Sequence, residues 1–162
     1  MVAGGVTTST DSPDVASVER FIAAPPAAIF DLLADPARHK EIDGSGTVQG
    51  PPSGSQRLEL GATFGMDMKA GIGYTMVNTV VEFEPDRRIA WQPRPDKAFL
   101  RSFIGGRIWR YELESKDGGT LVRESWDISQ EKVKRMVRPM RSKAIDSMTK
   151  TLERIEQLVT ES

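Results

Sequence analysis

The chain has 162 residues, 38% hydrophobic and 28% charged, with one histidine, no cysteine and a formal net charge of −1. That size and balance suit one folded domain with a real core. The cysteine and histidine counts exclude a disulfide framework, an iron–sulfur or thiolate zinc site and a histidine cluster, and 22 basic against 23 acidic residues lack the basic excess of a duplex binder.

In chain order, the first 14 residues, MVAGGVTTSTDSPD, are small and polar and read as a flexible tail before a single domain over residues 15–160. The run VASVERFIA has the β-branched and aromatic content of a strand. Pro25-Pro26 ends it and opens a helix carrying Ile29, Phe30, Leu32 and Leu33 at helical spacing. A second short helix starts after Asp35, its expected N-cap, and runs to about Glu41. Turn chemistry then surrounds one short strand near Val48. In RLELGATFGMDMKA, Leu58, Leu60, Ala62, Phe64, Met66 and Met68 alternate with polar residues, the period of a strand with one wet face. YTMVNTVVEFE continues the pattern with Val77, Thr79, Val81 and Phe83 on the expected inner face, and RRIAWQ returns after Pro85-Asp86. The stretch PRPDKAFLRSFIGG is too broken by proline and glycine for a regular element.

GRIWRYELES and TLVRESWDIS then form a hairpin across Lys116 to Gly119. Pairing Ser115 with Thr120 sets Leu113 against Val122, Tyr111 against Glu124, Trp109 against Trp126 and Arg107 against Ile128. Glu112 meets Arg123 on the opposite face. After Pro139, Met140, Ala144, Met148, Leu152, Ile155 and Val159 recur every three or four residues as one helical stripe. The expectation is an α+β fold: a curved antiparallel sheet wrapped around a long C-terminal helix, with two short helices after the first strand.

Four stretches carry a resemblance: ERFIAAPPAAIFDLLADPARHKEIDGSG, NTVVEFEPDRRIAW, GRIWRYELESKDGGTLVRESWD and RSKAIDSMTKTLERIEQLV. In this order the chain resembles the START/Bet v 1-like (SRPBCC) superfamily, the helix-grip fold, and in particular its polyketide cyclase/dehydrase-like branch. The resemblance implies a cavity between sheet and C-terminal helix for hydrophobic or amphipathic ligands. It carries over no catalytic motif.

The residues themselves offer few reactive groups. The register puts Glu124 on the apolar face beside Tyr111. It is either a polar anchor or general acid/base inside a cavity, or a carboxylate near the mouth paired with Arg107 or a loop arginine. Trp91, Trp109 and Trp126 either bracket a planar ligand or fill the core. Phe64, Met66 and Met68 on the inner strand face, and Met140 on the helix, are candidate lining residues. Phe99 and Phe103, in a loop ending at Gly105-Gly106, form either a hinged lid or a static packed loop. His39-Lys40-Glu41-Ile42-Asp43 makes a poor metal site and reads as helix cap or helix surface. Six basic residues between Lys132 and Lys143 form a solvated face or a patch for an anionic partner.

Three functions fit. One is a carrier or sensor for a small hydrophobic or aromatic ligand. Another is a cyclase, aromatase or dehydratase in which Glu124 and Tyr111 move protons, and the third is a protein-interaction module with a closed core. No cofactor and no metal is expected, nor nucleic acid or stable membrane insertion. The expected state is a cytoplasmic monomer or homodimer.

Overall fold

The computed structural model describes residues 7–44, 48–49, 57–70, 72–95 and 105–161. The strands are β1 (Thr7–Ser12), β2 (Val15–Ile22), β3 (Val48–Gln49), β4 (Thr63–Ala70), β5 (Ile72–Glu84), β6 (Arg88–Pro95), β7 (Ile108–Lys116) and β8 (Gly119–Asp127). The helices are α1 (Pro26–Leu33), α2 (His39–Ile42), α3 (Lys134–Val137) and α4 (Arg141–Thr160). One antiparallel sheet runs β1-β2-β8-β7-β6-β5-β4-β3, so the first long strand lies beside the last. Helix α4 packs on β2 and β8, and α1 and α2 also pack against α4. This is the helix-grip α+β architecture.

Local chemistry explains the pieces that place the site. Pro26 sits in the first turn of α1, where its missing N–H costs nothing, and Ile29, Phe30, Leu32 and Leu33 are all buried. The Asp35 side chain accepts the Ala37 N–H at 3.1 Å, capping a 3₁₀ turn (Pro36–Arg38) that leads directly into α2. At the other end, α3 and α4 are joined through a 3₁₀ turn (Arg138–Met140) that contains Pro139. Ala144, Met148, Leu152 and Ile155 of α4 face the core, whereas Met140 in that turn is 43% exposed.

Several expectations are corrected. Thr7–Ser12, expected within a tail, pairs with β2 as an edge strand. The alternation over 57–62 is not a strand. There Leu58 is buried and donates its N–H to the Ala34 carbonyl at 2.7 Å, while Leu60 is 65% exposed in a turn with Gly61 at φ +82°. In β5 the inner face is Asn78 and Val80, not Val77, Thr79 and Val81. The register against β6 slips between Val80 and Glu82, so Val81 is an extra residue and the facing reverses there, which returns Phe83 to Phe30 at a ring separation of 5.4 Å. Strand β6 runs on through Pro93 to Pro95. Its pairing with β7 stops at Trp91, so neither proline is asked for an N–H on that side.

On the outer face, Glu112 stands opposite Arg123 in register, but its carboxylate takes Arg88 at 3.1 Å and Arg123 turns to Glu19 of β2 at 4.0 Å. The β7–β8 ladder ends at Ile108 and Asp127, one step short of the expected Arg107–Ile128 pair.

Candidate functional site

The hairpin register puts two rows of side chains across the inner face of β6, β7 and β8. One row is Trp91, Trp109 and Trp126; the next is Ile89, Tyr111 and Glu124. Because side chains alternate along each strand, both rows point the same way, toward α4 and α2. Trp126 and Tyr111 are buried and Trp109 is partly buried against the core.

Glu124 is 3% exposed on this aromatic face. The Tyr111 hydroxyl donates a hydrogen bond to its carboxyl group, and Glu124 Oε2 is left buried with no partner. Burial pushes the Glu124 carboxyl up to about 8. The nearby Asp43 charge works in the same direction and the Tyr111 hydrogen bond only partly opposes it. Burial, then the Glu124 charge, pushes the Tyr111 phenol well above its ordinary range. At neutral pH the pair therefore holds both of its protons, and the carboxyl can give or take one close to that pH. Tyr111→Phe is expected to raise the Glu124 pKa further and to cost about 1 kcal/mol of stability. A carboxyl ¹³C titration of the variant checks this; an unchanged Glu124 titration would take the phenol out of contact.

The sequence reading missed the third polar group. His39, expected at a cap or on the helix surface, is 4% exposed, because α2 turns His39 and Ile42 inward. Its ring stacks on Trp91 at 4.9 Å and 24°, and meets the edge of Phe64 at 5.2 Å. Phe64 and Tyr111 flank the same Trp91 ring at 5.6 and 5.4 Å. His39 Nε2 lies 2.8 Å from the Leu33 carbonyl, which only accepts, so Nε2 carries the proton. Burial pulls the imidazole down to about 4 against the opposing pulls of the Leu33 carbonyl, Asp35 and Asp43. The ring is neutral, and Nδ1 is a bare acceptor, buried without a partner. The spacing of His39 and Ile42, three apart after a firm Asp35 cap, was the available signal: it puts both on one helical face.

Asp43 ends α2, and its charge acts on His39, Tyr111 and Glu124 alike. Helix α4 holds this corner: the Gly44 N–H donates to Thr151 Oγ1 at 2.9 Å, and Arg154 donates to the Asp43 carbonyl.

The structure thus brings together Glu124, Tyr111, Phe64 and Trp91, with Trp109 and Trp126 along the adjoining row. Arg107 is not Glu124's partner; its Nε and its backbone N–H both reach Glu131 Oε1 at 3.2 Å. Met140 stands exposed in the 3₁₀ turn before α4. The backbones of Met66 and Met68 lie in β4, while their side chains, and all of Phe99 and Phe103, fall outside the described residues. Gly106, expected as a hinge, has φ +112°, and a Cβ there would stand 2.3 Å from the Gln130 carbonyl oxygen. Its own carbonyl accepts from buried Gln92 Nε2 at 3.0 Å, so the position is held by close packing. Among the described residues, no group of three or more metal-ligating side chains converges, and no helix is long and apolar enough to cross a membrane.

Comparison with known proteins agrees with the architecture. The family described as "Polyketide cyclase / dehydrase and lipid transport" matches residues 14–160. The uncharacterized protein Rv0088 of Mycobacterium tuberculosis H37Rv is 36% identical over 108 residues, and MT0096 of strain CDC 1551 is 35% identical over the same length. Each match covers 65% of this chain but 44% of the relative, so the matched region is less than half of those proteins. Protein Ms6760 from Mycobacterium smegmatis superposes with a TM-score of 0.72 at 18% identity, covering 97% of this chain and 99% of its own. A protein from Arthrobacter aurescens, solved in solution, gives 0.73 at 13% identity over 96% of this chain and 92% of its own. At such identities the structural likeness speaks for the fold alone. With the family match running from β2's entry to the end of α4, the chain belongs to the polyketide cyclase / dehydrase and lipid transport family.

Proposed function

We propose that this protein binds one small hydrophobic or aromatic molecule, polyketide- or lipid-like in character, between the inner face of the sheet and α4. The observation that carries the reading is Glu124: a carboxyl group buried among aromatic rings, held by Tyr111 on one oxygen and unpartnered on the other. An unmet buried polar atom costs about 1–3 kcal/mol. A ligand that hydrogen-bonds Oε2 offsets that cost, whereas a merely structural side chain at this position would do better as leucine. The family's description, which includes lipid transport, points to the same class of ligand. Native mass spectrometry of the purified protein, with extraction of what denaturation releases, tests the reading. A co-purifying aromatic or acyl molecule, or saturable enhancement of 1-anilinonaphthalene-8-sulfonate fluorescence, supports it. A clean unliganded mass together with no probe binding overturns it.

A second reading, that the same site is a cyclase, aromatase or dehydratase, is favoured by one feature. The Glu124 carboxyl, raised to about 8, has the proton affinity of a general acid or base working near neutral pH. Rate acceleration would come chiefly from holding a flexible chain in one reactive geometry. In that case Glu124→Gln abolishes turnover of the extracted ligand while leaving the fold intact. Undiminished turnover would remove Glu124 from the mechanism, and no turnover by the wild type would leave the carrier reading alone.

A further inference from the structure

We infer that the segment from Lys132 to Lys143 is a docking surface for an anionic lipid bilayer, with Met136 and Met140 as its inserted apolar contacts. The inference concerns the outer surface of the protein and holds whether or not the interior takes a ligand. Lys132, Lys134, Arg135, Arg138, Arg141 and Lys143 lie in this run, and no acidic residue does. Here α3, the 3₁₀ turn and the start of α4 follow one another without a break, so residues four apart come to the same side. One side is fixed to the body of the protein. Val137 is buried, Lys134 and Arg138 close on the Asp14 carboxylate at 3.1 and 3.4 Å, and Arg141 donates to the Pro13 and Val15 carbonyls, both at 3.2 Å. The other side carries Met136, 64% exposed, and Met140, 43% exposed. Arg135 precedes the first and Lys143 follows the second by three positions, and both are exposed.

The pattern selects the partner. Asp14 is one carboxylate shared by two cations, and backbone carbonyls leave the Arg141 charge in place, so the surface stays strongly positive. A basic cluster of this size draws a bilayer rich in anionic lipid. Charge alone would serve any polyanion; the methionines do not. Flexible thioether side chains raised among cations shed water on entering the acyl boundary and gain nothing against a soluble phosphate chain. Among the described residues the other exposed large hydrophobics are Leu60 and Val81, which adjoin Glu59 and Glu82 in sequence rather than lysine or arginine. Exposed apolar and basic side chains therefore coincide on this segment. Because Val137 and the Asp14 clamp already hold the segment in place, docking orders little that is not ordered beforehand.

The test is co-sedimentation of the full chain with phosphatidylcholine vesicles and with vesicles containing about one-third phosphatidylglycerol. Binding is expected with the anionic vesicles alone and should weaken as salt rises. Arg135→Gln combined with Lys143→Gln, both outside the Asp14 clamp, should weaken it about thirtyfold, the product of two lost surface charges. Met136→Ser combined with Met140→Ser should weaken it about tenfold and leave any binding to soluble polyphosphate unchanged. Methionine-methyl ¹³C NMR of the wild type in anionic nanodiscs, with and without a nitroxide-labelled lipid, reads insertion directly and needs no variant to fold. The Met136 and Met140 signals should broaden, while that of fully buried Met148 stays sharp. Equal binding to both kinds of vesicle, or binding to neither, overturns the proposal. So does a methionine pair that can be replaced without loss, or whose signals ignore the labelled lipid; the segment would then be a basic patch for a soluble polyanion or an acidic protein.

Discussion

Glu124→Gln is expected to be more stable than the wild type by a few kcal/mol at about pH 8, and to lose the wild type's decline in stability between neutral and mildly alkaline pH. The sign follows from where the proton sits. In the unfolded chain a glutamate releases its proton near 4.5, whereas in the fold Glu124 keeps it to about 8. Between those values the native state binds the extra proton, so stability falls as pH rises and levels off above about 8. At about 1.4 kcal/mol for each unit, the interval has an upper bound of roughly 4–5 kcal/mol. His39 works the other way: buried neutral down to about 4 against 6.5 when unfolded, it loses stability as pH falls through that window. From 4.5 to 6.5 the two slopes offset each other, and from 6.5 to 8 Glu124 acts alone. Glutamine keeps an oxygen for the Tyr111 hydroxyl and cannot ionise, so the decline above 6.5 should vanish and the His39 slope should stand uncancelled between 4.5 and 6.5, the variant gaining stability with pH where the wild type is flat. Urea midpoints for both proteins across this range decide it. Parallel profiles would mean that Glu124 already ionises freely in the fold.

The proton that makes this prediction was partly legible in the amino-acid sequence, and the hairpin shows why. A short turn at Asp117-Gly118, with Gly118 at φ +82°, leaves the chain one register, and period-2 alternation then puts Tyr111 opposite Glu124 on the apolar side. The Pro26 helix start, the Asp35 cap and the α4 stripe were local too, each written in a few neighbouring residues. What escaped depended on partners far along the chain. Val81 looks like any alternating valine; only pairing with β6 makes it the extra residue that reverses β5's facing and sends Asn78 inward. His39 sits in a polar-looking run, yet Trp91, more than fifty positions later, supplies the surface that buries it. Arg107 lies just beyond the end of the β7–β8 ladder, two rows from Glu124, and the loop after β8 brings Glu131 to it instead.

Gly44→Ala is expected to destabilise the protein by about 3 kcal/mol or more, because the new methyl group has nowhere to go. A Cβ on Gly44 would stand 2.0 Å from the Ser147 carbonyl oxygen and 2.7 Å from the Thr151 nitrogen, both backbone atoms of α4. A flexible side chain could swing aside; a helix wedged between β2, β8, α1 and α2 cannot. The corner must therefore lift, breaking the Gly44–Thr151 hydrogen bond and pulling Asp43 off Arg154. Since α2 leads straight into that corner, His39 would slide off Trp91 and regain water. The substitution thus has a second signature besides lost stability: the His39 pKa should climb from about 4 back toward 6.5 as its burial is relieved. Thr151→Ser keeps the hydroxyl that Gly44 donates to and should leave the His39 titration where it was. If Gly44→Ala holds both wild-type stability and the wild-type His39 titration, α4 does not clamp this end of the site, and the glycine that begins the GSG run is there for the turn alone.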